Sequence, residues 1–296
     1  MPDLSPAHDV LPLGTAPRPT TAAEFLARLR PVLLDALGPT VQGAERARLD
    51  ADLDGADVAR LDVDLTGVHV RVGGSSPSTP TDTTSAGPTT SDVEDVRSRE
   101  DAVLRRVRVD AHPLVVEDVP VDVVAEAEGL RFHWVEDAAG GLGVEGVEPD
   151  DAAPLTGHVR VAAPRDAIVA TARRLVATEL QNLGLTLASL DVELESAGPR
   201  SVTLRAFARV RKGILSASVR ATATAEVDAQ MVLAVRGLEL SSRNPVVAAL
   251  LVAARGELAK VEGRQVDLVS DLPPGVRLAD VRVDVGETLA VSARFA

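Results

Sequence analysis

The stretch Leu215-Ser216-Ala217-Ser218-Val219-Arg220-Ala221-Thr222-Ala223-Thr224-Ala225-Glu226-Val227 alternates apolar and polar residues without a break. Successive side chains of a strand point to opposite faces, so this is a period-two pattern. Leu215, Ala217, Val219, Ala221, Ala223, Ala225 and Val227 fall on one face; serines, threonines, Arg220 and Glu226 fall on the other. At about 13 residues the run is roughly twice the usual strand length, and strands that long twist and coil. The alternation continues outward over Ser201–Leu240 with only brief interruptions, such as Arg211-Lys212-Gly213. Connections that short join antiparallel neighbours.

Working outward, strands are expected at 185–195, 200–211, 214–228 and 229–240, between two helices. The first helix, about 164–183, has Pro164 at its start, a stripe of Ile168, Ala172, Leu175, Val176, Leu180 and Leu183, and Gly184 at its end. The second, 244–262, has Asn244 as cap and Pro245 at the first position. Its segment Val246–Ala254, including Leu250 and Leu251, is apolar all round and should be buried. Strands at 265–270, 276–285 and 288–295 close the chain.

Toward the N-terminus, Thr21-Ala22-Ala23-Glu24 is a capping box followed by Phe25, Leu29, Leu33 and Leu37 at helical spacing. This predicts a helix over 21–37 that Pro31 kinks or divides. Short strand-like runs follow at 49–54, 61–65, 68–72, 103–109, 114–116, 119–127, 130–135 and 155–163. Residues 1–19 read as a disordered tail. Gly73–Asp92, almost wholly Gly, Ser, Thr, Pro and Asp, reads with the charged residues up to Glu100 as a disordered loop inside one domain of 20–296. The order of elements lacks the regular β-α-β-α alternation of a parallel sheet. The fold class expected is therefore α+β, a long, strongly curved antiparallel sheet wrapping long helices.

Composition narrows function. The net charge is −13, and Phe25, Phe132, Trp134, Phe207 and Phe295 are all the aromatic residues, so nucleic-acid binding is poorly supplied with basic surface or stacking rings. The basic clusters Arg105/Arg106/Arg108 and Arg205/Arg209/Arg211/Lys212 read as solvated sheet faces, with contact to anionic headgroups as the sharper alternative. A core of Val, Leu and Ala without large fillers is compatible with a cavity, although a GC-rich genome produces the same bias. There is no Cys, which excludes disulfides and thiolate chemistry. Met1–Pro19 lacks the basic and apolar regions of a signal peptide, and Val246–Ala254 is far short of the roughly 20 residues of a spanning helix. A cytoplasmic protein is expected on these grounds.

Catalytic and metal motifs fail on inspection. Asp50-Ala51-Asp52-Leu53-Asp54-Gly55 opens like a calcium loop, but Leu61 stands where the bidentate Glu belongs. The outer face of a strand entering a turn explains it better. Gly141-Leu142-Gly143-Val144-Glu145-Gly146 has dinucleotide glycine spacing but no following helix, so a glycine-rich hairpin is expected. His8, His69, His112, His133 and His158 form no metal-spaced pair, and no nucleophile motif occurs. His133, between Phe132 and Trp134, reads as a structural histidine; an enzyme would need a long-range site near His133 or His158. No catalytic residue, metal or cofactor is expected.

Near the C-terminus, Leu272-Pro273-Pro274-Gly275-Val276-Arg277-Leu278 leads into Val281-Arg282-Val283 and then Gly286-Glu287-Thr288-Leu289-Ala290-Val291-Ser292-Ala293. This resembles the closing hairpin of the LmeA-like phospholipid-binding proteins of high-GC Gram-positive bacteria. Leu49–Val72 resembles that family's early strands, and the two stretches cover under a fifth of the chain. The resemblance implies a tubular lipid-binding (TULIP-type) fold with an apolar groove for acyl chains and no catalytic residues. The signal peptide or membrane anchor usual in the family is not evident here, and 73–100 is an insertion.

The residues expected to line such a groove are Ile168, Leu175, Val176, Leu215, Ala217, Val219, Ala221, Met231, Leu233, Val235, Leu250 and Leu251. The expected ligand is a phospholipid or other acyl-chain lipid, with peripheral membrane contact at a basic edge and transfer between membranes as a further role. The alternative is a protein-interaction or scaffold module whose core is fully packed, the small alanines letting a helix approach closely.

Overall fold

A computed structural model describes residues 10–38, 40–71, 96–150, 152–182, 184–212, 215–242, 244, 265–270, 272 and 275–296. The strands are β1 (Val10–Thr15), β2 (Val41–Gln42), β3 (Arg48–Asp54), β4 (Asp57–Asp64), β5 (His69–Val70), β6 (Val96–Val116), β7 (Val119–Asp137), β8 (Gly141–Gly146), β9 (Thr156–Pro164), β10 (Thr186–Gly198), β11 (Ser201–Lys212), β12 (Leu215–Val227), β13 (Val232–Ser242), β14 (Gln265–Asp267), β15 (Leu278–Val285) and β16 (Thr288–Phe295). The helices are α1 (Ala22–Leu37) and α2 (Arg165–Asn182), with a short 3₁₀ turn at Ala44–Arg46.

The strands form two sheets of eleven and five strands. The five-stranded sheet is the antiparallel meander β10-β11-β12-β13-β14 built on the alternating stretch. The larger sheet runs β15-β16-β9-β7-β6-β4-β3, with β8 and β1 added on one flank and β5 and β2 on another. The α+β class and the large antiparallel sheets match the sequence reading, with one correction. β4 and β5 pair with β6 in parallel, which is possible because 72–95 intervenes between β5 and β6.

The spine of the larger sheet is the β6–β7 ribbon. The separate short strands expected between 103 and 135 are one 21-residue strand and one 19-residue strand, paired along their length. Asp110-Ala111-His112-Pro113 and Glu128-Gly129 interrupt the apolar pattern, the first with a register irregularity between Ala111 and Leu114, but neither ends its strand. Val96–Glu100, expected as part of a loop, therefore belongs to β6. β7 changes partner along its length: Asp122–Glu128 pairs with β9, and Phe132–Glu136 pairs with β8. Between them sits Gly129 at φ +79°, a backbone conformation other residues rarely adopt.

The N-terminal part of the ribbon's sheet encloses α1. Thr21 caps the helix by accepting from the Glu24 amide at 3.3 Å, as the capping box predicts. The helix runs past Pro31 as one element over nearly the expected span, so of the two expected effects of Pro31 division does not occur. Phe25 and Leu29 enter a core with Leu13, Leu61, Phe132, Trp134 and Leu142. Phe25 and Phe132 meet the Trp134 ring edge-on, with centroids 6.2 and 5.3 Å away, and the indole N–H donates to the Ala56 carbonyl at 2.9 Å. The reading of 1–19 as a tail needs correction over Val10–Thr15. That segment pairs with β8, and Leu13 is 1% exposed in the core. The remainder of the expected 73–100 loop, up to 95, and the helix expected at 244–262 lie outside the described residues, Asn244 excepted.

Candidate functional site

The five-stranded sheet has one apolar face, and strand register identifies it residue by residue. Directly paired residues share a face. Val192, Ala206, Ala221 and Leu240 form one row across β10-β11-β12-β13. Val202, Ala225 and Val235 form another, and Val227, Leu233 and Val266 a third. Ala217 faces Val210, and Val219 faces Ala208. The opposite face carries the charged and hydroxyl residues, with Arg220 6.0 Å above the Phe207 ring.

A second apolar face lies on the β7-β9-β16-β15 part of the larger sheet. Val123, Val161, Val291 and Val283 form a continuous row across these four strands. Ala125, Val159, Ala293 and Val281 form the next. The two faces join: Val281 and Ala293 pack with Val227, Met231, Leu233, Leu268 and Leu278 in a small cluster. Around that junction the Val283 amide donates to the Pro199 carbonyl at 2.8 Å, and Arg200 bonds Asp280 at 2.8 Å. The result is an apolar surface shared by two sheets.

This surface is not sealed. Val161 is 39% and Val291 42% exposed, whereas Leu13 and Trp134 in the α1 core are nearly inaccessible. α2 packs against β7, β9 and β10, bridging the sheets, and Arg174 ties it to Asp118 at 2.9 Å. It has no buried residue, and its Leu175 is 60% exposed. Large apolar side chains left accessible in one neighbourhood mark interaction surfaces more often than accident.

The predicted groove residues distribute accordingly. Ala217, Val219, Ala221, Leu233 and Val235 lie on the apolar face of the second sheet. Met231 is buried at the junction in a left-handed turn, and Leu233 joins it there. Ile168, Leu175 and Val176 lie on α2, where Leu175 and Val176 are exposed rather than packed on the sheet. Leu215 begins β12, and Leu250 and Leu251 lie outside the described residues. The valine rows of β7, β9, β16 and β15 were not among the predicted residues. Their alternation is legible in Val159–Ala163 and Leu289–Ala293, but their assembly into rows depends on register between strands far apart in sequence.

Comparison with protein-family models, curated proteins and solved structures finds no match to this chain.

The polar candidates resolve into sheet chemistry. Asp50 and Asp52 lie on β3, where Arg60 of β4 bridges Asp50, Asp52 and Asp62; these contacts hold the guanidinium strongly protonated. Asp54 and Asp57, at the β3–β4 turn, share Arg105, and that guanidinium together with the Val103 amide keeps the Asp57 carboxyl below the ordinary range. Among the described residues no group of three metal-ligating side chains is placed to hold an ion. The glycine-spaced segment 141–146 is strand β8.

His133 is not in the core. It faces away from Phe132 and Trp134, beside Asp101 on β6 and Glu145 on β8. Its buried Nδ1 lies 2.9 Å from the Asp101 carboxylate but off the hydrogen-bonding direction, and has no hydrogen-bond partner among the described residues. Glu145, 4% exposed, accepts from the Arg99 guanidinium at 2.8 and 3.3 Å. Arg99, His133 and Glu145, with Arg131 and Asp150, line a cleft of about 440 Å³ that has no Ser, Thr or Cys among the described residues of its wall. An Asp–His pair without a nucleophile supplies no acyl-transfer site.

Proposed function

We propose that this protein binds an acyl-chain lipid, without catalysing a reaction, on the apolar surface shared by its two sheets. The observation carrying this reading is the continuity of the valine and alanine rows over the junction at Val227, Met231 and Val281, combined with the exposure left at Val161, Val291 and Leu175. The resemblance of 272–293 and 49–72 to LmeA-like phospholipid-binding proteins points the same way, toward a TULIP-type arrangement with an apolar groove. Small side chains such as Ala206, Ala221 and Ala225 leave depth for a chain to lie along the strands.

The energetics favour such a ligand. Each methylene taken out of water contributes about 0.8 kcal/mol, so a chain of ordinary length supplies enough to offset the entropy of immobilising it. A headgroup at the edge would remain solvated. Among the described residues no helix is long and apolar enough to cross a membrane.

The test is mass spectrometry of an organic extract of the purified full-length protein, followed by titration of the delipidated protein with a fluorescent fatty acid. Near-stoichiometric lipid, or saturable binding that Val161→Asp and Val291→Asp weaken at least fivefold, is the expected result. A lipid-free protein that also fails to take up the probe would overturn the reading.

A further inference from the structure

The outer face of the β9-β16-β15 corner, opposite the valine rows, carries a second feature. Strand pairing sets Arg294 beside His158 and Ser292 beside both Arg160 and Arg282. These residues and Asp280 line a cleft of about 330 Å³.

The carboxylates around this cleft are already engaged. Asp280 accepts from Arg200 at 2.8 Å and from Arg282 at 2.9 Å. Glu126, opposite His158 on β7, is held by Arg106 at 2.9 Å and Arg108 at 3.6 Å. Asp284 reaches Arg160 only at 3.8 Å. Arg294 faces Asp280 across the ladder, yet finds it taken by the other two guanidiniums. Among the described residues the side chains of Arg294, His158 and Ser292 make no hydrogen bond or ion pair. A local excess of cationic donors thus persists in a chain of net charge −13, where carboxylates outnumber guanidiniums and could have been placed to neutralise it.

We infer that this cleft binds a phosphate group, its oxygens received by Arg160, Arg282 and Arg294, with the Ser292 hydroxyl and His158 as further donors. Guanidinium forks match tetrahedral oxyanions with paired N–H bonds, and such charge-assisted bonds are about twice as strong as neutral ones. The volume exceeds that of a lone phosphate and admits a phosphorylated small group. The same chemistry is presented by free phosphate and by a phospholipid headgroup at a membrane surface. The site lies on the opposite face of the sheet from the proposed acyl-chain surface and does not depend on it.

The experiment uses the full chain in two arms. One is calorimetric titration with inorganic phosphate. The other is flotation with phosphatidylcholine vesicles, with and without phosphatidic acid, in the absence and presence of inorganic phosphate. Each is repeated on the Arg160→Ala/Arg294→Ala double variant, with circular dichroism and thermal melting as folding controls. The inference expects phosphate binding that falls at least about tenfold in the variant. Flotation that requires phosphatidic acid and is competed by phosphate identifies the headgroup as the source; phosphate binding without flotation identifies the free ion. No binding in either arm, or binding that the variant leaves unchanged, overturns the inference. If the double variant melts early, Arg294→Gln alone provides the same comparison.

Discussion

The two helices of this protein meet their sheets on different terms. α1 is closed over: Phe25 and Leu29 enter a core that contains Trp134, Phe132, Leu13 and Leu142. α2 leans on β7, β9 and β10, buries no residue, and leaves Leu175 mostly exposed. The difference follows from where the few aromatic rings are placed. Phe25, Phe132 and Trp134 stand together around α1, while the second region is surfaced mainly with Val and Ala, with Phe295 at its margin on the end of β16. Large rigid rings fill the gap between a round helix and a twisted sheet. Valine and alanine cover a sheet without filling that gap, so similar elements produce a sealed core at one end and an accessible apolar surface at the other.

This contrast can be broken most directly at Trp134. Trp134→Ala removes the centre of the α1 core and its hydrogen bond to Ala56, and should cost about 3–5 kcal/mol in a chemical denaturation series. A loss below about 1 kcal/mol would mean that the α1 core is no better packed than the α2 region. Next in size is Arg99→Ala. It strips a guanidinium from Glu145, which is 4% exposed, and should cost about 2 kcal/mol, with Glu145→Gln recovering part of the loss in the double variant.

Leu175→Ala sharpens the other side of the comparison. Stability should move by less than about 0.5 kcal/mol because the side chain is exposed. Fluorescent fatty-acid affinity should fall about threefold; an unchanged affinity together with a large loss of stability would reverse the assignment of this helix to the open side. The smallest effect expected is electrostatic. Arg200 and Arg282 lower the Asp280 carboxyl from 3.8 to about 2. The ion pair is therefore fully present above pH 3.8 and is lost as pH falls through about 2. Asp280→Asn should flatten the dependence of the melting midpoint on pH between 5 and 2, and a parallel acid limb in both proteins would remove Asp280 from the joint between the sheets.

Much of the architecture was legible in local patterns. The run from Leu215 to Val227 is strand β12 over that same span, and the capping box at Thr21 starts α1. Both signals are carried by neighbouring residues. The parallel pairing of β4 with β6 was not legible, because partner choice between distant strands leaves no mark on either one. β1 escaped notice because Pro12 and Gly14 disguise a short edge strand. Of the proposed binding surface, the alternating half on β12 and β13 could be read directly. The valine row across β7, β9, β16 and β15 could not, since β9 and β16 are separated by more than a hundred residues of chain and meet only through register. The polar clefts were hidden for the same reason: Arg160 and Arg294 become neighbours only when β9 and β16 pair.

The exchange of partners along β7 makes one ribbon a wall of two compartments. On one side of Gly129 it closes the α1 core; on the other it carries Val123 and Ala125 of the open surface. Loss of the core would therefore remove a wall from the proposed binding surface, and a ligand held there would brace the core in return. If the proposed surface holds lipid, occupancy and folding are linked through a single pair of strands, and a bound lipid should raise the melting temperature of the whole chain, α1 included.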